Sequence, residues 1–220
     1  MGRTRRPLAG WVGILGLLAC CAAACDNGTA AESQPATVLE TRGRTFLCRD
    51  TFPTDLTTCP AATPGATVVV NGGVHTGPGD ATLLMKTRGT TFRLLPNSSL
   101  RYVESTSAGA LFLLTAGRVF ADHEPGSDNV VIRGGDAGVA PLGTRYTAGI
   151  DATGVIISVR EGRVGVSVPP DAPAQPMDAG QGMHVDTGAR AAPTPRPMTA
   201  AEAALWQQIG SHLEWQAPAP

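Results

Sequence analysis

From about residue 67 to residue 185, short runs of Val, Leu, Ile and Thr are interrupted by glycine at close intervals. Such runs, bounded by glycine, are typical of successive β-strands joined by tight turns. Aromatic residues make up only 5% of the chain, so a core in this region must consist mainly of Val, Leu, Ile and Ala. A chain of 220 residues is long enough for one such domain with tails. The stretch therefore predicts an all-β domain, a meander of short strands.

Three glycine-containing dipeptides allow strand pairing to be predicted: Arg88-Gly89, Ala116-Gly117 and Glu161-Gly162. Glycine supplies the positive φ that two-residue hairpin turns require. In the third hairpin, a shift by one residue would turn the valines toward solvent. The tripeptide Gly-Arg-Val recurs at 117–119 and 162–164, which indicates a weak internal repeat. The predicted pairs are Met85 with Phe92, Leu83 with Leu94, Lys86 with Thr91 and Leu84 with Arg93; Leu114 with Val119 and Leu113 with Phe120; and Val159 with Val164, Ile157 with Val166 and Val155 with Val168.

The amino terminus has the layout of a cleaved export signal. Arginines at positions 3, 5 and 6 precede an uncharged stretch, residues 8–24, whose most apolar part is 11–19. That part is too short to span a bilayer well, and small residues follow it. We therefore predict a signal peptide of the lipoprotein type at residues 1–19. No later segment of the sequence is long and apolar enough for a transmembrane helix.

Cys20 is the predicted lipidation site. Leu17-Leu18-Ala19-Cys20 resembles a bacterial lipobox, in which the cysteine takes a diacylglycerol and becomes the new amino terminus. Cys25, preceded by three alanines, is the alternative site, and cleavage after Ala24 without lipid is a further alternative. An acyl anchor would hold the protein on the membrane without a crossing helix.

Cys48 and Cys59 are predicted to form a disulfide. The export signal places them in an oxidising compartment, where thiols tend to pair. The bond would close a loop of about twelve residues, which the chain-entropy model values at roughly 3 kcal/mol. A metal site would need further ligands at close spacing, and no nearby His or Cys supplies them.

The carboxy-terminal region contains the one predicted helix. Thr199-Ala200-Ala201-Glu202 is a capping-box pattern, which marks a helix start. Leu205, Trp206, Ile209 and Leu213 fall on or beside one face of that helix. The face either packs back on the β-domain or is offered to a groove on a partner protein. The predicted layout is a signal peptide at 1–19, a flexible tether at 20–45, an irregular disulfide-stapled segment at 46–66, the β-domain at 67–186, a linker at 187–198, the helix at 199–214 and a tail at 215–220.

Five motifs resemble FecR-type domains, a family named after the ferric-citrate regulator. They occur in the family's order over about residues 68–186 and include the segment Leu142-Gly143-Thr144-Arg145-Tyr146. The other four segments are 74–79, 94–100, 159–164 and 180–182. Gly143 and Thr144 are expected to be folding elements rather than contact sites. The signature residues, all given this structural interpretation, are Gly77, Pro78, Gly79, Pro96, Leu142, Gly143, Thr144, Glu161 and Gly162.

The resemblance implies an all-β fold, solenoid-like or a two-layer sandwich of short strands. The named regulator also has a cytoplasmic segment that handles an alternative sigma factor, while its periplasmic part responds to an outer-membrane transporter. This sequence has no recognisable cytoplasmic region of that kind, no transmembrane helix and no second α+β domain after the FecR-like part. We therefore expect only the periplasmic recognition module to carry over.

No residue pattern nominates catalysis. The four histidines are widely separated, no Gly-x-Ser-x-Gly occurs, and the glycine-rich pieces do not precede helices. The net charge is -1 with no basic run, which argues against a nucleic-acid partner. We therefore predict no catalytic residue, metal or cofactor. The expected function is recognition of another envelope protein in signalling or assembly; the alternative is binding of a small ligand or a cell-wall glycan.

Overall fold

The computed structural model describes residues 34–49 and 58–209. Within them the chain forms sixteen strands and one helix, so the predicted all-β class with a carboxy-terminal helix is confirmed. Several predictions concern residues outside the described part: the export signal, the lipidation sites Cys20 and Cys25, the helix-face residue Leu213 and the tail. The elements are β1 Ala36–Arg42, β2 Thr45–Cys48, β3 Thr67–Val68, β4 Gly73–Thr76, β5 Thr82–Thr87, β6 Thr90–Leu94, β7 Ser99–Thr106, β8 Gly109–His123, β9 Asn129–Gly134, β10 Ala137–Pro141, β11 Arg145–Ile150, β12 Gly154–Glu161, β13 Arg163–Ser167, β14 Gln175–Asp178, β15 Gln181–Asp186, β16 Arg196–Pro197 and α1 Ala200–Gln207.

The strands form one hydrogen-bonded sheet that is folded into two layers. Layer A has the order β3-β1-β5-β6-β8-β11-β12-β15-β16, and layer B has β2-β4-β7-β8-β9-β10-β13-β14. β8 belongs to both, because its first half pairs with β7 and β9 and its second half with β6 and β11. Phe92 in layer A meets Phe112 in layer B edge to face, with ring centroids 5.1 Å apart. The arrangement is therefore a two-layer sandwich.

Alternate residues of both layers point into one shared core. Val119, Ile157 and Val159 enter it from layer A and Val164 and Val166 from layer B, each fully buried. Complete burial of a side chain of this size stabilises a fold by roughly 1.5–3 kcal/mol. The period-two pattern of the sequence therefore identifies the core positions of these strands.

The hairpin predicted at Arg88-Gly89 is confirmed in its register. β5 and β6 pair Met85 with Phe92 and Leu83 with Leu94, and the two intermediate pairs also match. Arg88 has φ of 46° and Gly89 of 69°, so both central residues are in the left-handed region. That is the backbone of a type I′ turn, which matches the twist of the two strands.

The hairpin predicted at Ala116-Gly117 is wrong. β8 continues through both residues as one strand of 15 residues. Leu114 pairs with Leu100 in layer B, whereas Val119 pairs with Leu94 in layer A. The chain changes its layer at this point without reversing direction.

The hairpin predicted at Glu161-Gly162 is also wrong. Val159 pairs with Tyr146 in layer A, while Val164 pairs with Met177 in layer B. The chain leaves one layer and enters the other at this dipeptide. The valines before and after it still point inward, because both layers face the same core. The alternation is therefore satisfied without any pairing between β12 and β13.

The predicted tether, residues 20–45, overlaps β1 and the start of β2, so that part of the prediction is wrong. β1 pairs with β5 in layer A, and its residues Ala36 and Val38 are fully buried. The segment 46–66 contains most of β2, which pairs with β4, so it is not wholly irregular. The predicted linker, residues 187–198, contains β16 at the edge of layer A. β1, β2 and β16 form because strands that are distant in sequence offer each of them a hydrogen-bonding edge and an apolar face.

The predicted disulfide between Cys48 and Cys59 is present, with the two Cα atoms 5.0 Å apart. It holds the segment after Cys59 against the free edge of β2. There, Leu47 N donates to Pro60 O and Ala62 N donates to Thr45 O, both at 2.9 Å. The disulfide therefore joins the segment after Cys59 to the edge strand β2.

Replacing both cysteines, Cys48→Ser with Cys59→Ser, is expected to lower the free energy of unfolding by about 3 kcal/mol. The loss arises because the unbridged denatured chain gains conformational freedom. Chemical denaturation of the oxidised protein and of the double variant measures the difference. A difference below about 1 kcal/mol would contradict the expectation.

Candidate functional site

The signature residues 142–144 and 161–162 lie together at a corner, the point where the chain crosses between layers. The Thr144 side chain is almost fully buried. Its Oγ1 accepts hydrogen bonds from Arg163 N and Leu142 N, both at 3.2 Å, and donates to Arg163 O. Gly162 has φ of 75°, and a Cβ there would lie 2.2 Å from Gly143 O. The threonine at position 144 and the glycine at position 162 are therefore explained by the backbone of the corner.

The other Gly-Arg-Val tripeptide, residues 117–119, lies at an equivalent corner. Ser98 Oγ accepts from Arg118 N at 2.8 Å and donates to Arg118 O at 3.0 Å. Thr144 makes the same pair of bonds with Arg163. Gly117 has φ of 71°, close to that of Gly162. The repeat seen in the sequence therefore corresponds to a repeated corner in which a hydroxyl bridges the backbone of an arginine.

The remaining signature residues cluster at the Ser98 corner. Asn97 N donates to Gly77 O at 2.9 Å, which brings the 77–79 segment against the turn that contains Pro96. Pro78 and Gly79 are exposed turn residues. Leu142 is also exposed, by 67%, and no contact of the described residues explains an apolar side chain there.

Replacing the Thr144 hydroxyl with a methyl group, Thr144→Val, is expected to destabilise the protein by about 2 kcal/mol, because the part-buried N–H of Arg163 loses its acceptor. Thr63→Val, in an exposed turn, is the matched control. The free energies of unfolding of both variants in urea provide the measurement. Equal values for the two would show that the hydroxyl has no structural role.

α1 packs on the outer face of layer A, which is the first of the two interpretations given for its apolar face. The Trp206 ring meets Phe120 edge to face at 4.9 Å, and its Nε1 donates to Ser158 Oγ at 3.1 Å. Ile209 is buried in the same cluster, and Leu205 packs against it. The helix ends at Gln207, earlier than the predicted residue 214, while residues 210–214 are outside the described part.

An ion pair between the largely buried Glu202 and the partly exposed Arg196 anchors the start of α1. Thr199 is the N-cap of the predicted capping box, which is confirmed. The Glu202 carboxylate accepts from Thr199 N at 2.6 Å and from the Arg196 guanidinium at 2.8 and 2.9 Å. Burial acts to raise the pKa of Glu202, but the bonds from Arg196 and Thr199 outweigh it and lower the pKa.

The Glu202 contacts are therefore expected to stabilise the protein at neutral pH and to weaken in acid. Because the pKa of Glu202 is lowered in the folded state, its stabilising contribution is fully present above about pH 4.5, the ordinary value for Glu. The contribution disappears as the pH falls through the lowered pKa of the folded protein. Glu202→Gln should lower the unfolding midpoint by about 2–4 °C at pH 7, the effect of about 1 kcal/mol. The difference from the parent protein should shrink below pH 4; a constant difference from pH 7 to 3 would refute the assignment.

The described histidines serve as structural hydrogen-bonding groups. His123 Nδ1 lies 2.7 Å from Thr90 Oγ1, and burial lowers the pKa of His123 despite the nearby carboxylates of Glu124 and Asp122. Burial likewise lowers the pKa of His75. Within residues 34–49 and 58–209, no three His, Cys, Asp or Glu side chains form a group suited to hold a metal ion.

One hydroxyl–imidazole–carboxylate chain was missed by the sequence reasoning because its members are far apart in sequence. Thr153 Oγ1 is 3.1 Å from His184 Nε2, and His184 Nδ1 is 3.2 Å from Asp186 Oδ1. The Thr153 hydroxyl, however, donates to Asp151, and hydrogen bonds from Thr153 lower the pKa of Asp151 to about 2. A carboxylate with so low a pKa is too weak a base to activate the Thr153 hydroxyl as a nucleophile. The hollow beside this group measures about 50 Å³, far below the roughly 300 Å³ of a typical ligand site.

Taken together, the fold and its corners define a two-layer β-domain that has hydroxyl-bridged crossings and carries a short helix on one face. None of the helices in the described part of the chain is long and apolar enough to cross a membrane.

Comparison with protein families finds one match for this domain. Residues 72–165 match the family described as FecR protein, in agreement with the resemblance seen in the motifs. The family is one of regulatory, signalling-related proteins. No curated protein matches the chain in a sequence search.

Two crystal structures from Parabacteroides distasonis, described as those of a candidate anti-sigma factor, are similar in fold. The 2.50 Å structure is 20% identical with a TM-score of 0.51, over 62% of this chain and 64% of that one. The 1.65 Å structure is 22% identical with a TM-score of 0.45, over 55% and 57%. The chain thus spans less than two thirds of each solved chain. At this level of identity the comparison concerns the fold alone.

Proposed function

We propose that this protein is an envelope-side recognition module, lipid-anchored through Cys20, whose FecR domain binds another envelope protein in signalling or assembly. The observation that carries the proposal is the FecR match over residues 72–165, together with the layout of residues 1–24, from which an export signal is predicted.

The sheet edges disfavour one way in which a partner could bind. Exposed edge strands allow a partner to add a strand of its own, and proline or a short edge prevents this. β14 contains Pro176, β16 contains Pro197, and β3 has only two residues. The edge of β2 is bonded to residues 60–62. Recognition through a face of the sandwich is therefore favoured over strand addition.

Covalent cross-linking in intact envelopes, followed by purification of the tagged protein, tests the proposal. The control chain keeps residues 1–33 but replaces the rest with an unrelated β-domain of similar size. A protein recovered repeatedly with the parent and not with the control supports recognition. Identical sets of recovered proteins would contradict it.

Fractionation tests the anchor separately. Cys20→Ala should release the protein from membranes into the soluble fraction, whereas Cys25→Ala should leave it membrane-bound. Release by Cys25→Ala alone would transfer the anchor to Cys25, and membrane binding of the double variant, Cys20→Ala with Cys25→Ala, would refute lipid anchoring through either cysteine.

Binding of a small ligand or glycan is the second candidate. The observation in its favour is a hollow of about 230 Å³ on the outer side of layer B, near Val131. Its size is below the range of about 300–1,000 Å³ found for ligand sites, which makes this candidate weaker. Cosedimentation with purified cell-wall sacculi tests it, and absence from the pellet would reject glycan binding.

A further inference from the structure

The two outer faces of the sandwich differ in what lies on them. α1 covers the centre of layer A, where Trp206 and Ile209 close over Phe120. On the outer face of layer B, the described part of the chain places neither a helix nor a strand. Within residues 34–49 and 58–209, this second face is therefore uncovered at β7, β8 and β9.

The open face is apolar where a solvated sheet face is usually polar. Leu111 and Leu113 on β8 and Val131 on β9 alternate with core residues and so point outward, and each remains half-buried. Val103, at the irregularity of β7, is half-buried as well. We call these four residues, together with the two arginines beside them, Arg101 and Arg133, the layer B patch.

The arginines give the patch its charge. The strand register places Arg101 and Arg133 on either side of Leu113, one on each neighbouring strand. Both Nε atoms are buried and lack a hydrogen-bond partner among the described residues, a costly condition for a donor. Carboxylates occur only toward the rim: Asp171, 83% exposed, pairs with Arg133, and exposed Glu104 lies opposite Leu111.

A hollow of about 230 Å³ adjoins the patch. Leu111, Val131 and Arg133 are among its lining residues, together with Gly109 and Asn129. A hollow of this size accommodates a bulky apolar side chain better than a whole small molecule. Its position at the edge of the apolar area indicates an anchor point for an inserted side chain.

We infer that the layer B patch is the docking surface for a segment of a partner protein that presents apolar side chains flanked by carboxylates. The inference rests on the proposed function and adds the surface and the chemistry of the partner. Planar guanidinium groups beside an apolar floor suit carboxylates in this arrangement. A second copy of the chain fits less well, because two-fold pairing of the patch would bring arginines against arginines.

Site-specific photocross-linking of the full chain in the cells that produce it tests the inference. A photoreactive benzoylphenylalanine replaces Leu113 or Val131 in the patch, and Leu142 or Arg160 at exposed positions elsewhere. We expect one protein to be captured from the two patch positions and not from the other two. Mass spectrometry of the adduct should place Asp or Glu within about one helical turn of the attached residue.

Charge variants supply the second readout. Arg101→Glu with Arg133→Glu should lower the adduct yield at Leu113 about ten-fold, while the exposed control pair Arg160→Glu with Arg190→Glu leaves it unchanged. If the variant with both arginines changed to Glu unfolds at a lower temperature than the parent, Arg101→Gln with Arg133→Gln replaces it. The expected drop in adduct yield at Leu113 is then about three-fold.

The outcomes separate this inference from the proposed function. Any of four results would overturn the docking surface. The first two are capture only from Leu142 or Arg160, and an adduct with a second copy of the chain or with its own residues. The other two are an attached segment without Asp or Glu, and an adduct yield that the arginine substitutions do not change. Capture of a partner from another position would still leave partner binding intact. An absence of adducts from all four positions would count against both.

Discussion

Gly162→Ala is expected to destabilise the domain by about 4 kcal/mol, whereas Gly180→Ala should cost only about 1–2 kcal/mol. Both glycines have positive φ, 75° and 82°, so both alanine variants bear the strain of a left-handed backbone. A Cβ at Gly180 meets nothing within 4 Å. At Gly162, it would lie 2.2 Å from Gly143 O, a backbone atom that Thr144 and Arg163 hold in place.

Thermal unfolding of the parent and the two variants measures the effect. The larger cost corresponds to a fall in the unfolding midpoint of about 8–16 °C and the smaller to about 2–8 °C. The difference between the variants isolates the collision, because the φ strain is common to both. Equal midpoints would mean that the corner can open by more than an ångström without loss, contrary to its dense hydrogen bonding.

The corners also explain why one hairpin was predicted correctly and two were not. A type I′ reversal needs positive φ at both central residues, and the Arg88-Gly89 turn has it. At the other two dipeptides, only Gly117 and Gly162 are in that region. Glycine permits either backbone, so its presence alone does not distinguish a reversal from a crossing.

Signals confined to a few neighbouring residues predicted the helix start but only one of the three hairpins, and strand pairing between distant residues left no signal in the sequence. The capping box at Thr199 depends on four neighbouring residues and is present. β1, in contrast, is a strand because Val38 pairs with Met85 far along the chain, and a polar, small-residue segment gives no sign of that. The disulfide was predictable because Cys48 and Cys59 are the two cysteines that lie beyond the group at positions 20, 21 and 25, where lipidation is predicted.

The layer B patch was not predictable from periodicity. Residues 110–114 are a continuous apolar run, and such a run does not reveal which side chains face the core. The structure separates them: Phe112 and Leu114 are buried, whereas Leu111 and Leu113 point outward. Only the pairing with β7 and β9 brings Arg101 and Arg133 beside them, from positions 32 residues apart.

Removing the Trp206 side chain, Trp206→Ala, is expected to destabilise the docked state of α1 by about 4 kcal/mol. The change removes the ring that covers Phe120 and the N–H that satisfies Ser158, so an apolar ring and a hydroxyl of layer A become exposed. Trp206→Phe keeps an aromatic ring but loses the donor, and should cost about 1–2 kcal/mol. Gln207→Ala, at an exposed neighbouring position, is the control and should change little.

Hydrogen exchange of the helix amides, together with limited proteolysis within the segment that follows residue 196, measures docking of α1 directly. Protection should fall in the order parent, Trp206→Phe, Trp206→Ala, and the control should match the parent. The same variants separate the two interpretations of the helix face. A helix that only packs on layer A predicts lost protection with partner capture at Leu113 unchanged. A helix offered to a partner groove predicts the opposite, namely unchanged protection and lost capture, since the Trp206 ring would then be a binding contact rather than a cover for Phe120.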